Sequence, residues 1–173
     1  MIISSQMNAA LNEQIGNEFG ASLQYVAIGS HFACESLPEL ALHFYLQAEE
    51  ERAHAMRFVK FVVDAGGDVH IPAIPEARSR FGTAEEAVQK ALDGETAVTQ
   101  QIVALVDRAI KESDHITHGA LQWFVTEQLQ ELSSMETLLR IVQRAGEQGL
   151  LHVEEYLARH RSLSSAAESP GAG

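Results

Sequence analysis

The sequence predicts an all-α fold: a four-helix bundle with a long crossover between helices two and three and a short fifth helix near the C-terminus. Three observations predict it. Apolar residues recur at alternating steps of three and four in four long segments, the spacing of a core-facing helical stripe. Two of the links between these segments are short, while residues 66 to 82 form a long one holding Gly66, Gly67, Pro72, Pro75 and Gly82. Each stripe is also interrupted near its middle by a carboxylate.

The first helix, residues 5 to 34, places Leu11, Ile15, Glu18, Ser22, Tyr25, Ile28 and Phe32 on one face. Glu18 alone breaks the apolar character, and Tyr25 lies two turns further along the same side. Read by itself, Tyr25 is a core tyrosine with a hydrogen-bonded hydroxyl. The second helix opens at Ser36-Leu37-Pro38-Glu39, with Ser36 as the expected cap and Pro38 in the first turn, and it ends at Ala65-Gly66-Gly67. Its seam runs Leu37, Leu40, Phe44, Gln47, Glu51, His54, Phe58, Phe61 and Ala65. The short link between these two helices makes them antiparallel neighbours.

Loops as long as residues 66 to 82 are uncommon within compact domains. Fully extended, it spans about 55 Å, whereas a helix of about 29 residues is about 43 Å long. The loop can therefore run back along the bundle, which makes helix three parallel to helix two. Helix three begins with the capping-box pattern Thr83-Ala84-Glu85-Glu86 and carries Val88, Ala91, Glu95, Val98, Ile102, Leu105 and Ala109 on one face. A turn at Glu112-Ser113-Asp114 leads to helix four, with Ala120, Phe124, Glu127, Glu131, Met135, Leu138 and Val142 on or beside its seam, ending near Gly146. A short amphipathic helix over roughly residues 150 to 160 follows. Residues 1–161 are expected to form one domain, and the Ser/Ala/Gly-rich stretch 162–173 a flexible tail.

Composition narrows the function classes. A chain of 173 residues that is 46% hydrophobic is long enough for one sizeable core. Its single cysteine, Cys34, excludes an intrachain disulfide and fits a reducing compartment. No apolar run approaches membrane-spanning length, and Met1-Ile2-Ile3-Ser4-Ser5 lacks a basic region followed by an apolar one, so a soluble cytoplasmic protein is expected. A net charge of −12 with scattered basic residues argues against nucleic-acid binding. An acidic surface suits cations, although it serves solubility equally well.

Glu51-Arg52-Ala53-His54 places a carboxylate and an imidazole one turn apart in the core stripe. Glu-x-x-His at this spacing can converge on one cation, yet alone it is a weak signal, equally compatible with a mutually paired duo. Glu112-Ser113-Asp114-His115 has the same spacing beside a turn. The depth of the other carboxylates changes the weighting. Glu18, Glu51, Glu95 and Glu131 all lie near the middle of their helices, in one layer roughly 20 Å from an end of the bundle. Like-charged carboxylates so close cannot all ionise, and divalent cations both neutralise and are ligated by them. Oxygen-rich ligation with one imidazole and no thiolate suits iron or manganese more than structural zinc.

Taken together, Leu11-Asn12-Glu13-Gln14, Glu18, Tyr25, Glu51-Arg52-Ala53-His54, Glu95, Leu121-Gln122-Trp123-Phe124 and Glu127-Gln128-Leu129-Gln130-Glu131 resemble the ferritins, in particular the haem-free bacterial kind, over nearly the whole chain. The resemblance implies a ferritin-like bundle and a di-iron ferroxidase centre. Glu18, Glu51 and His54 would form the first iron site, and Glu51 would bridge to a second site completed by Glu95 and Glu131. Gln128 and Tyr25 match residues beside that centre. It further implies oxidation of Fe(II) by O2 or H2O2 and storage of ferric mineral in a homo-oligomeric shell of twenty-four subunits. Some haem-free members build a third, outer iron site, here expected from Glu50, Glu127 and Glu131, with Gln130 standing where that pattern has another glutamate.

Two departures bear on the haem-carrying bacterioferritins. Helix four lacks their second Glu-x-x-His, because Gln130 follows Glu127, and Arg52 occupies the position of their haem-ligating methionine. No haem is therefore expected, and Met56 and Met135 read as core filling. A DNA-protecting mini-ferritin is the other alternative, but that group builds its site between subunits. His115 and His118 lie where ferritin three-fold channels are lined, though Leu121 is apolar and no acidic ring is evident.

Overall fold

The computed structural model describes residues 2–167, with side chains as far as residue 161. Its regular structure is entirely helical: α1 (Ser5–Cys34), α2 (Pro38–Asp64), α3 (Ala84–Lys111), α4 (His115–Ala145), a single 3-10 turn (Glu147–Gly149) and α5 (Leu150–Ala167). Helix α5 continues beyond the expected end near residue 160, into the first part of the Ser/Ala-rich stretch. The rest of the expected tail, residues 168–173, lies outside the described residues.

Hydrogen bonds at the bundle ends set the helix directions. The Ile2 N–H donates to Ala65 O at 2.8 Å, tying the start of α1 to the end of α2. Ser4 Oγ donates to Glu112 Oε2 at 2.6 Å, tying the same start to the end of α3. Helix α1 is thus antiparallel to both, and α2 and α3 are parallel, as the loop lengths predict. The crossover runs up α1 in step with its turns. Asn12 Nδ2 donates to Asp68 O (2.8 Å), Asn12 Oδ1 accepts from the His70 N–H (2.7 Å), and Gln24 clasps Arg78 with Nε2 to O (2.8 Å) and N–H to Oε1 (2.9 Å). Between these clamps Pro72 lies against Gly16, where an added Cβ would stand 2.4 Å from Pro72 Cγ, so the strap needs glycine there.

The caps follow from short polar side chains accepting orphan N–H groups. Ser4 Oγ accepts from Met7 N–H, Thr83 Oγ1 from Glu86 N–H and Asp114 Oδ1 from Thr117 N–H. The capping box at α3 is modified, since Glu86 accepts from Gly82 N–H at 2.7 Å, one residue before the cap. Glu112 and Asp114 are thereby occupied at helix ends, and the second Glu-x-x-His is a turn, as its position suggested. Ser36, however, does not cap α2. It adopts a left-handed φ of 61°, and Leu37, at the cap position, offers no side-chain acceptor. The acceptor comes from α5: buried Glu154 takes the N–H groups of Glu39 and Leu40 at 2.8 Å each.

The apolar core is split in two. One cluster, including Ile28, Phe32, Phe44, Val88 and Leu138, fills the α5 end; the other, including Met7, Leu11, Phe58, Ile102 and Phe124, fills the opposite end. Met135 is buried as expected, but Met56 is 46% exposed, because position 56 falls between His54 and Phe58 on the outward side of α2. Leu121 is likewise buried in the core, so it lines no channel. Among the described residues no helix is long and apolar enough to cross a membrane.

The Glu154 carboxylate joins α5 to the N-terminus of α2 through two charge-assisted bonds. Glu154→Ala should lower the stability of the metal-free protein by about 1–3 kcal/mol, read from denaturant midpoints; an unchanged midpoint would show that the two N–H groups find other partners.

Candidate metal centre

The polar layer between the two apolar clusters is built from all four long helices. Glu18, Ser22 and Tyr25 come from α1, Glu51 and His54 from α2, Glu95 from α3, and Gln128 and Glu131 from α4, all buried. Each lies on its helix's core stripe, so the same periodicity that buries Leu11 or Phe58 drives these polar groups inward.

Ligand atoms converge in three overlapping groups, within each of which one atom per residue lies within 4.8 Å of the others: Glu18, Glu51 and His54; Glu51, Glu95 and Glu131; and His54, Glu127 and Glu131. Glu51 belongs to the first two, in the position to bridge. His54 Nδ1 stands 3.4 Å from Glu51 Oε2, while its Nε2 is 3.9 Å from Glu131 Oε1. The imidazole is held edge-on against Trp123 and Phe124, and the Arg57 guanidinium covers Trp123 at 3.8 Å from the ring centre.

Some of the carboxylate oxygens are fixed by hydrogen bonds and others are without a partner. Gln14 Nε2 donates to Glu18 Oε1 at 2.9 Å. The Tyr25 hydroxyl donates to Glu95 Oε1, and Gln128 Nε2 reaches Glu95 Oε2 and Thr99 Oγ1, both at 3.2 Å. Glu18 Oε2, Glu51 Oε2, His54 Nδ1 and Glu131 Oε2 are buried with no hydrogen-bond partner. Buried polar atoms without partners are strongly disfavoured, and four of them on residues of these overlapping groups offer lone pairs to a cation.

Electrostatics describe the same strain. Burial, reinforced by repulsion from Glu51, holds Glu18 well above the ordinary carboxylate range. Burial and then Glu95 push Glu51 up to about 8, and burial followed by Glu51 and Glu95 pushes Glu131 up to about 10. The Tyr25 phenol is raised by burial and the neighbouring Glu95. A cation displaces these protons and satisfies the free lone pairs together.

The residues expected from the sequence are therefore placed as follows. Glu18, Glu51, His54, Glu95 and Glu131 share the layer, with Tyr25 and Gln128 bonded to Glu95. Glu127 is half-buried beside His54 and Glu131. Glu50 is exposed and hydrogen-bonded by Gln47, outside the three groups, though close enough to feel repulsion from Glu127. Sequence reasoning passed over Gln14 and Thr99. Gln14 sits one turn before Glu18 on the same stripe, a spacing that signals contact; Thr99 stands one turn after Glu95.

The model of the ferritin-like domain family matches residues 8–145. This chain belongs to the ferritin family. It is 43% identical over 164 residues to the ferritin BfrB of Mycolicibacterium smegmatis, covering 95% of this chain and 90% of that one. A bacterial non-heme ferritin of Staphylococcus saprophyticus is 30% identical over 161 residues, with 91% and 96% covered. Among solved structures, an open pore ferritin of Archaeoglobus fulgidus superposes with a TM-score of 0.87 at 32% identity, covering 90% of this ferritin and 96% of that chain. The bundle with its short fifth helix is thus the ferritin fold.

The raised carboxyl groups make metal-free stability depend on pH. Folded Glu18, Glu51 and Glu131 keep protons that the unfolded chain releases near its ordinary carboxylate value of 4.5. Stability from this source is full below that value and is lost as pH rises towards about 8, where Glu51 ionises. The melting temperature of the metal-free protein should fall between pH 5 and 8, and Glu51→Gln should flatten the slope; a Glu51→Gln slope equal to that of the wild type would refute the assignment.

Proposed function

We propose that this ferritin stores iron by oxidising Fe(II) at a di-iron centre within each chain and depositing the ferric product as mineral inside a hollow shell. The observation that carries the reading is that the residues of the converging ligand groups hold four partnerless buried atoms, Glu18 Oε2, Glu51 Oε2, His54 Nδ1 and Glu131 Oε2. In this reading Glu18, Glu51 and His54 hold one Fe(II), and Glu51, Glu95 and Glu131 hold the other, with Glu51 common to both. Gln14 fixes Glu18 through Oε1 and leaves Oε2 free for iron, while Gln128 holds Glu95 through Oε2. Tyr25 holds Glu95 from the opposite side.

Each Fe(II) gives one electron to dioxygen, which takes up two protons and leaves as hydrogen peroxide. The carboxyl protons displaced by iron lie within the same layer and supply that uptake. Hydrogen peroxide is the alternative oxidant, accepting two electrons and leaving as water or hydroxide. An outer site of Glu127 with Glu131 and His54, with Glu50 at its edge, is weaker, because Gln130 offers only a neutral amide oxygen to a hard ferric ion. Membership of the ferritin family favours a homo-oligomeric shell, in this reading one of twenty-four subunits, and the net charge of −12 disfavours nucleic-acid binding. A DNA-protecting mini-ferritin is disfavoured because the whole ligand set lies in one chain; gel filtration separates a dodecamer from the larger shell.

Anaerobic Fe(II) titration should saturate two tight sites per chain, with a third filling only at higher iron, and O2 addition should then give fast oxidation. Glu51→Ala or His54→Ala should abolish the fast phase while the assembly elutes unchanged. Wild-type initial rates in an assembled Glu51→Ala shell would sink the proposal.

Haem is not part of this reading. Arg52 is exposed, and its guanidinium has no lone pair to give to iron. Haem added to the purified protein should give no stoichiometric Soret band; one haem per pair of subunits would require another axial ligand, for which exposed Met56 is the nearest candidate.

A further inference from the structure

A cleft of about 270 Å³ lies between α1 and α3, beneath residues 75–77 of the crossover. Its walls include Gly20, Ala21, Gly94, Ala97 and Val98, and Tyr25 lies at its inner side. Tyr25 is 2% exposed and donates to Glu95, so one residue borders both the cleft and the metal layer.

Two of the three glycines there, Gly20 and Gly94, have no packing reason. A Cβ at Gly94 would meet nothing within 4 Å, and one at Gly20 would make only an ordinary contact of 3.6 Å with Ile74. Both sit inside long helices with ordinary backbone geometry, where glycine weakens the helix and alanine fits. Gly16, by contrast, is needed by Pro72. What Gly94 and Gly20 maintain is the open volume itself.

The lining also selects among reactants. Glu76 is the cleft's single carboxylate and is matched by Lys90, so the cleft offers a divalent cation no net attraction. The acidic groups Glu50, Glu127 and Glu131 lie instead on α2 and α4. Asn17, Gln24 and Gln101 add neutral polar groups to a lining that is otherwise mostly small and apolar, and a small neutral molecule is the ligand such a charge-balanced cleft accepts.

We propose that this cleft is the entry site for dioxygen, which reaches the layer past Tyr25 from the α1/α3 side while Fe(II) arrives from the α2/α4 side. The proposal rests on the oxidase reading, and its test separates the two. Crystals of the assembled protein pressurised with xenon, an apolar gas probe, should show xenon in the cleft; Gly94→Leu should exclude it. In stopped-flow oxidation at varied O2, Gly94→Leu and Ala97→Leu should raise the O2 concentration for half-maximal rate by about fivefold or more. Both should still bind two Fe(II) per chain without oxygen. Absence of xenon in the wild type overturns the proposal, as does an unchanged O2 dependence in either variant that retains two Fe(II). If a variant loses iron binding, the xenon result decides. Xenon in the cleft of a protein that does not oxidise Fe(II) would instead refute the oxidase reading and leave the cleft a gas-binding site.

Discussion

Carboxyl groups crowded into the middle of an apolar bundle repel one another and lose their hydration, and the rest of the molecule is arranged to hold them there regardless. Burial raises Glu18, Glu51 and Glu131 together, and each is raised further by a neighbouring carboxylate. A layer of this kind would swell or flood if the helices ended near it. Here every helix continues for several turns on both sides, and a full apolar cluster closes each end. The stability of the two clusters maintains the strain at the centre, a division common at functional sites.

Glu154 shows what a buried carboxylate looks like when it is purely structural. Both of its oxygens are satisfied by backbone N–H groups at a helix N-terminus, where the helix dipole favours negative charge. The central carboxylates each keep an oxygen without a partner or face another carboxylate. The difference lies in the partners, since all of these groups are deeply buried. Gln14 and Gln128 mark the boundary between the two cases, because each bonds one oxygen of a metal-layer carboxylate.

Much of this was legible in the sequence because a carboxylate in an apolar stripe is conspicuous. Glu18, Glu51, Glu95 and Glu131 stand out against Leu, Ile, Val and Phe, and equal depth in their helices follows from counting residues. The α3 stripe from Val88 to Ala109 is buried in full. Gln14 was legible only as a spacing, one turn from Glu18, because a neutral amide on a stripe has many ordinary uses; Thr99 was hidden, since its partners are the Glu95 backbone carbonyl and Gln128 on another helix. The cap of α2 was hidden for another reason: its acceptor, Glu154, is more than a hundred residues away, and no local pattern can report it. Met56 was misread because a methionine near a core stripe suggests packing, whereas its position two residues from both His54 and Phe58 points it outward.

The crossover strap has a consequence for how much its length can vary. Its contacts follow α1 turn by turn, from Asp68 at Asn12 through Pro72 at Gly16 to Arg78 at Gln24. An ordinary loop absorbs an inserted residue at little entropic cost. Here an insertion before Arg78 would move Pro72 off its glycine or Arg78 off its glutamine, so the strap behaves as an extended element in register with a helix. Tolerance to insertion should therefore be low along the whole strap, since the residues after Arg78 are held as well, Phe81 against His31 and the Gly82 N–H on Glu86, so a tag or peptide is better grafted elsewhere on the bundle.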